Sequence, residues 1–197
     1  NNNGVKNATA FGSITGLGDL VFISRSTASS SASVSITSGI NSTYKEYIFV
    51  FNNIHPEQDG KNFSFQASTD SGSSYGVTAT TTNFVANHNE AGNDTTLNYD
   101  TGEDHANGTG FQTMTGGDSL GSDADQCIVG TLHLFNPSST TFVKHFIART
   151  NFSGNNNYSV NAHIAGYCNT TTAIDGVQFK MHSGNIDAGT ITLYGIN

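Results

Sequence analysis

The C-terminal stretch Ala173–Asn197 constrains the fold more than any other part of the sequence. Within Val177–His182 apolar and polar residues alternate strictly, which is the period of a β-strand with one buried face. The turn-forming residues Ser183–Asn185 follow, and then the alternation resumes with Ile191 and Leu193 on one side. The pattern predicts two strands at the centre of a core that earlier segments cover.

Strand-like segments recur at short spacing along the rest of the chain. Lys45–Asn52 is apolar on both faces and predicts a central strand. Gln126–Phe135 and Thr140–Ala148 flank an Asn-Pro-Ser-Ser turn and predict a hairpin. Further strands are predicted at 19–25, 32–37, 61–67, 75–85 and 158–167, with a flexible serine run at 26–31. Nine or ten strands and no amphipathic helix indicate an all-β fold, an antiparallel β-sandwich of jelly-roll type.

The chain divides into an N-terminal arm and a single domain. Residues 1–18 contain too few apolar side chains for a core of their own, so we expect an extended arm before a sandwich domain at 19–197. Within that domain the strand pattern fades at about 86–125, which predicts a long acidic surface insertion. Contacts with neighbouring subunits are expected at apolar residues of the arm and the insertion: Phe11, Ile14, Leu17, Phe111 and Met114.

Charge and composition narrow the choice of partner. The chain of 197 residues has 7 Lys and Arg against 15 Asp and Glu, a net charge of −8. This balance argues against a nucleic-acid backbone or an anionic membrane as the partner. The sequence has no long apolar run and no signal-like start, so we expect neither a membrane span nor a secretion signal. Cys127 and Cys168 are too few for a disulfide framework, and we expect two buried free thiols.

One short segment matches a hydrolase motif. Gly117–Gly121 fits the Gly-x-Ser-x-Gly pattern, with Ser119 at the position of the nucleophile. That motif works at a sharp turn between a strand and a helix, and neither is predicted here. No histidine has an aspartate three residues before it. We therefore expect a turn, and no catalytic residue is assigned.

Two sets of side chains are of types that bind metals. Asp118, Asp123 and Asp125 on a glycine-rich loop are a weak Ca²⁺ candidate, although their spacing differs from a helix–loop–helix calcium site and a solvated loop is favoured. Three histidines could converge on a metal in a sandwich, but no pair has helical spacing; the candidates are His133, His145, His163 and His182. The alternation places His133 and His182 on the solvent side. No metal and no cofactor are expected.

Exposed tyrosines suggest a second kind of ligand. Tyr75, Tyr99 and Tyr158 lie in or beside segments rich in Asn and Gly, where their rings could stack on sugars. The same residues could equally serve ordinary loop packing.

Several segments resemble a family of structural proteins from virions of tailed bacteriophages, particularly marine phages. The resemblance covers most of Ile40–Asn197 and rests on Ile40–Pro56, Phe65–Tyr75, Leu132–Thr140, Val143–Phe146, Ala165–Thr171 and Ser183–Ile196. It does not cover the arm or the acidic insertion. Its motifs are strand and turn signatures, and they carry no functional residue over to this chain.

The resemblance implies a non-enzymatic component of a virion, located at the particle surface. A capsid cement or decoration subunit is the leading interpretation, and a tail or fibre component that binds a receptor or glycan is the alternative. The expected partners are the major capsid protein or tail proteins together with copies of the chain itself, in a homo-oligomer for which a trimer is the first guess.

Overall fold

The structure, a computed structural model, describes residues 20–196, which form twelve β-strands and no helix. The strands are β1 Leu20–Ser31, β2 Val34–Ile36, β3 Glu46–Pro56, β4 Phe63–Ser68, β5 Ala79–Asn89, β6 Thr95–Tyr99, β7 Gln112–Thr113, β8 Ile128–Phe135, β9 Lys144–Ser153, β10 Tyr158–Cys168, β11 Gly176–Met181 and β12 Ile186–Ile196. In this part of the chain no helix could cross a membrane. The predicted arm lies outside the described residues, and so do Phe11, Ile14 and Leu17.

The strands form two antiparallel sheets that pack face to face, so the predicted all-β sandwich is confirmed. The larger sheet has the order β1-β12-β3-β8-β9-β10-β5-β6, and the smaller has the order β2-β11-β4-β7. The chain changes sheet at every step except those from β5 to β6, from β8 to β9 and from β9 to β10. Strands β8 and β9 pair directly, which confirms the predicted hairpin.

The core is built around the ring of Phe179. Its centroid lies 5.4 Å from Phe49, 5.2 Å from Phe51, 6.0 Å from Phe63 and 6.4 Å from Phe65. Phe49 and Phe51 belong to the larger sheet, whereas the other three rings belong to the smaller one. The apolar residues predicted for the last two strands are all buried, namely Val177, Phe179, Met181, Ile191 and Leu193. The prediction of a C-terminal core anchor is therefore confirmed.

The segment at 86–125 is buried in part, at 112–116 and Leu120, so the prediction of a surface insertion is wrong there, whereas all five residues of β6 are exposed. It contains the end of β5 together with β6 and β7, and its residues Met114 and Leu120 are fully buried. The Thr150 hydroxyl donates to the backbone oxygen of Met114 at 2.5 Å. The segment meets β9 through this bond, and it meets β5 through a hydrogen bond from the Thr81 hydroxyl to Gln112. The polar composition of the segment did not indicate burial. Its backbone can be buried because polar side chains pair with it.

Other differences have simpler causes. Strand β1 continues through the serine run to Ser31, since backbone pairing with β12 holds an edge strand whatever its side chains are. Strand β5 begins and ends four residues later than the predicted strand at 75–85. Cys168 is buried as expected, whereas Cys127 is partly exposed.

We expect Phe179→Ala to lower the free energy of unfolding by about 3–5 kcal/mol, because it removes the ring that joins the two sheets. Urea denaturation followed by fluorescence or circular dichroism measures the change. Phe142→Ala is the matched control, since Phe142 is 68% exposed and its loss should cost less than about 0.5 kcal/mol. Equal costs for the two variants would contradict this account of the core.

Candidate functional site

The outer face of the larger sheet has no covering layer among residues 20–196. Along β9 the side chains alternate between buried and exposed, so every second residue faces solvent. Eight large apolar side chains of the described chain are exposed, and seven of them lie on this face: Leu20, Phe22, Phe84, Leu97, Tyr99, Val129 and Ile147. Only Phe142 of the eight lies elsewhere, in the turn before β9. We refer to this surface as the open face.

A cross-strand row of side chains runs through the middle of the open face. Paired positions on neighbouring strands give the order Phe22, Tyr194, Ile48, His133, Ile147, Ala165 and Thr82. Phe22 and Tyr194 meet edge to face with centroids 6.1 Å apart. Six strand spacings of about 4.8 Å make this band roughly 29 Å long. His133 Nδ1 lies 2.6 Å from Glu46 Oε1, so the carboxylate beside the band has a partner.

A polar row lies next to the apolar band. Arg149 Nε donates to Asn161 Oδ1 at 3.3 Å, and the Asn161 amide lies 3.4 Å from His163 Nε2. The His163 ring stacks on Phe84, with centroids 4.9 Å apart and an angle of 5° between the planes. Partial burial, and after it the positive charge of Arg149, holds the pKa of His163 below its usual value of 6.5. Within the described residues no carboxylate lies within 4 Å of Arg149.

A second candidate surface is a small polar recess, which we call the Asp118 recess. Its volume is about 210 Å³, and it is lined by Asn87, Asp94, Thr96, Asp118, Ser119, Gly154, Asn155, Asn156, Tyr158 and Val160. Asp118 Oδ2 accepts a hydrogen bond from Asn87 Nδ2 at 3.1 Å. The Tyr158 hydroxyl donates to Asp94 Oδ2 at 2.6 Å. That hydrogen bond, followed by burial and the nearby carboxylates, raises the pKa of Tyr158 above 10.0.

The Asp118 recess brings together residues that the sequence suggested for three different reasons. Asp118 was a Ca²⁺ candidate, Ser119 was the serine of a hydrolase motif, and Tyr158 was a possible sugar contact. The Ser119 hydroxyl makes no hydrogen bond to a histidine or carboxylate of residues 20–196, and no helix follows it. The other recess residues were missed, since they come from segments far apart in the sequence.

The three residues of the weak Ca²⁺ candidate, Asp118, Asp123 and Asp125, do not converge. Asp118 lies in its recess, whereas Asp125 lines a different one beside Cys127. Leu120 separates them because it is buried and forms β-bridges with Lys61 and Gly154. Throughout the described chain, no three His, Cys, Asp or Glu side chains are grouped as metal ligands would be.

The recess at Asp125 is larger, about 630 Å³, and it also contains His55 and Asp187. His55 Nδ1 lies 3.6 Å from Asp187 Oδ2, and its Nε2 lies 3.2 Å from the backbone oxygen of Asp123. Burial raises the pKa of the Cys127 thiol, and its sulfur lies 3.8 Å from Asn53 Oδ1. Both ring nitrogens of His55 therefore have oxygen partners, and the thiol is not activated as a nucleophile.

The other residues predicted to contact a sugar or a neighbouring subunit do not form one site. Tyr99 lies on the open face and donates to Asp104 at 2.7 Å, whereas Tyr75 lines a separate recess of about 360 Å³. Phe111 is partly buried beneath the Lys180 ammonium, 4.2 Å from its ring centroid. Met114 is fully buried, so its predicted contact with a neighbour is wrong: the side chain fills the core of its own domain.

The four histidines that were candidates for metal binding lie on two different surfaces. His133, His145 and His163 lie on the open face, and His182 is exposed after β11. The expected outward orientation of His133 and His182 is confirmed. The open face itself was missed, although Phe146-Ile147-Ala148 carries a signal, since an apolar residue occurs there on both sides of the strand.

Comparison of the chain with protein-family models, with curated proteins and with solved structures gives no match. The geometry of the two surfaces is therefore the basis for a functional assignment. Within residues 20–196 the geometry defines an all-β sandwich with an uncovered sheet face, the open face, and a polar recess at Asp118.

We expect Arg149→Gln to raise the pKa of His163 while leaving it below 6.5, because burial is the larger cause of its depression. An NMR titration of the imidazole signals measures it. Arg25→Gln is the matched control, since Arg25 lies on the same face five strand spacings from His163, a distance of about 24 Å. A His163 pKa that is unchanged by Arg149→Gln would show that the guanidinium charge does not act on the ring.

Proposed function

We propose that the protein is a non-enzymatic structural subunit of a virion, which cements or decorates the particle through contacts between subunits. The observation that carries this proposal is the open face, where seven large apolar side chains share one surface. Large apolar side chains that are exposed together on one face of a soluble protein usually mark an interaction surface. Copies of the chain and the capsid or tail proteins are the proposed partners.

The strand order supports the proposal of a jelly roll. Without β5, β6, β9 and β10, the sheets have the orders β1-β12-β3-β8 and β2-β11-β4-β7. Numbered in chain order, these eight strands run 1-8-3-6 and 2-7-4-5, the arrangement of a double Greek key. Jelly rolls are found in viral capsid proteins and in lectins. The four additional strands all extend the sheet that carries the open face.

The proposed mechanism is burial of apolar area. Full burial of one such side chain contributes about 1.5–3 kcal/mol, so a contact along the whole apolar band would be stable on its own. Repetition around a particle would strengthen weaker contacts through multivalency. A closed symmetric oligomer such as a trimer would remove the exposed band from water without leaving it open to further association.

A glycan-binding module of a tail or fibre is the second candidate. The Asp118 recess favours it, because carboxylates, amides and a tyrosine line a concave surface there. The two functions use different surfaces, and one chain can carry both.

We expect Ile147→Glu to prevent binding to particles that were assembled without this chain, because it places a charge at the centre of the apolar band. Co-sedimentation of purified protein with the particles measures binding, and circular dichroism checks the fold. Phe142→Glu is the matched control, since Phe142 is exposed away from the open face. If Ile147→Glu co-sediments as well as the native chain does, the open face is not the interface.

A further inference from the structure

We propose that the Asp118 recess binds a single pyranose ring of a neutral oligosaccharide. The proposal deepens the second candidate function and is independent of the assembly role of the open face. It rests on the construction of the recess, on its hydrogen-bonding groups and on its charge.

The recess is built from three segments that backbone hydrogen bonds hold together. Asn155 N donates to the backbone oxygen of Ser119 at 3.1 Å, joining the β9–β10 turn to the segment before β8. Glu90 N donates to the oxygen of Asn157 at 3.0 Å, which joins the same turn to the end of β5. Because these bonds involve main-chain atoms, the lining is positioned before any ligand arrives, which lowers the entropic cost of binding.

The lining presents hydrogen-bond acceptors beside donors. Asp118 and Asp94 each use one carboxylate oxygen for a side-chain hydrogen bond within residues 20–196. Their second oxygens remain available as acceptors, and the exposed amides of Asn155 and Asn156 offer both donors and acceptors. Adjacent hydroxyls of a sugar ring each donate and accept, so this pairing of carboxylate and amide matches them. The partly exposed ring of Tyr158 adds apolar surface for the C–H groups of the sugar.

Size and charge define the ligand class further. A volume of about 210 Å³ is below the roughly 300–1,000 Å³ of clefts for drug-sized molecules, so one ring fits and a longer chain continues into solvent. The lining contains two carboxylates and no Lys, Arg or His, which disfavours an anionic sugar. The described residues also lack a third carboxylate or histidine grouped with these two as metal ligands would be.

The test is an NMR titration of the full-length chain with neutral trisaccharides of glucose, galactose, mannose and N-acetylglucosamine, each at about 10 mM, enough to occupy a millimolar site. Trigalacturonate and Ca²⁺ alone are the comparison probes. We expect saturable amide shifts at Asn87, Asp118 and Asn156 with at least one neutral sugar, and no such shifts with trigalacturonate.

Two variants locate the site. Asp118→Ala and Asn156→Ala should each weaken binding about tenfold or more, and Asn156 is exposed, so its loss leaves the fold unchanged. Asp125→Ala is the matched control, an exposed carboxylate in a different recess. Ile147→Glu should bind the sugar as the native chain does, which separates this proposal from the assembly role. The proposal is overturned if no neutral sugar shifts these amides, or if Ca²⁺ alone does so and the sugars do not.

Discussion

The two sheets differ in width, yet water must be excluded from the whole inner face of the eight-stranded sheet. The rest of the structure depends on this constraint. The four-stranded sheet packs against the eight-stranded one through the rings around Phe179 and through Phe65, which meets Phe146 of β9. The segment from Asp100 to Cys127 packs against β5 and β9. An irregular segment brings backbone polar groups into the core, and each unpaired group would cost about 1–3 kcal/mol.

Buried polar side chains offset that cost by forming hydrogen bonds. Several of them lie where the irregular segment packs against β5 and β9. Thr81 donates to Gln112 at 2.7 Å, and Gln112 in turn donates to the backbone oxygen of Glu103 at 2.9 Å. Thr113 and Thr115 pair with each other nearby. Asn83 is the exception, with neither amide atom paired to a described group. The segment therefore belongs to the core although its composition is that of a loop.

This arrangement explains how much the sequence could predict. Apolar patterning identified β11, β12, β3 and the β8–β9 hairpin, because apolar side chains make up most of the buried surface of those strands. It could not identify the role of Met114, since burial there depends on hydrogen bonds to residues distant in sequence. The Asp118 recess was out of reach for the same reason: Asp94, Asp118 and Tyr158 meet only through the pairing of three separate segments. The sequence nonetheless indicated Asp118 and Tyr158 individually as candidate binding residues, although it did not indicate Asp94.

The order in which strands join the larger sheet also ranks their stability. Strand β6 is attached only to β5, β5 is held chiefly by β10, and β10 continues to β9 and the strands above the aromatic rings. All five residues of β6 are exposed, so little beyond main-chain pairing retains it. Local opening would then begin at this edge and move inward, and amide hydrogens would exchange fastest in β6 and slowest in β3 and β12. The sheet would behave as a graded structure, with a stiff interior and a margin that opens readily.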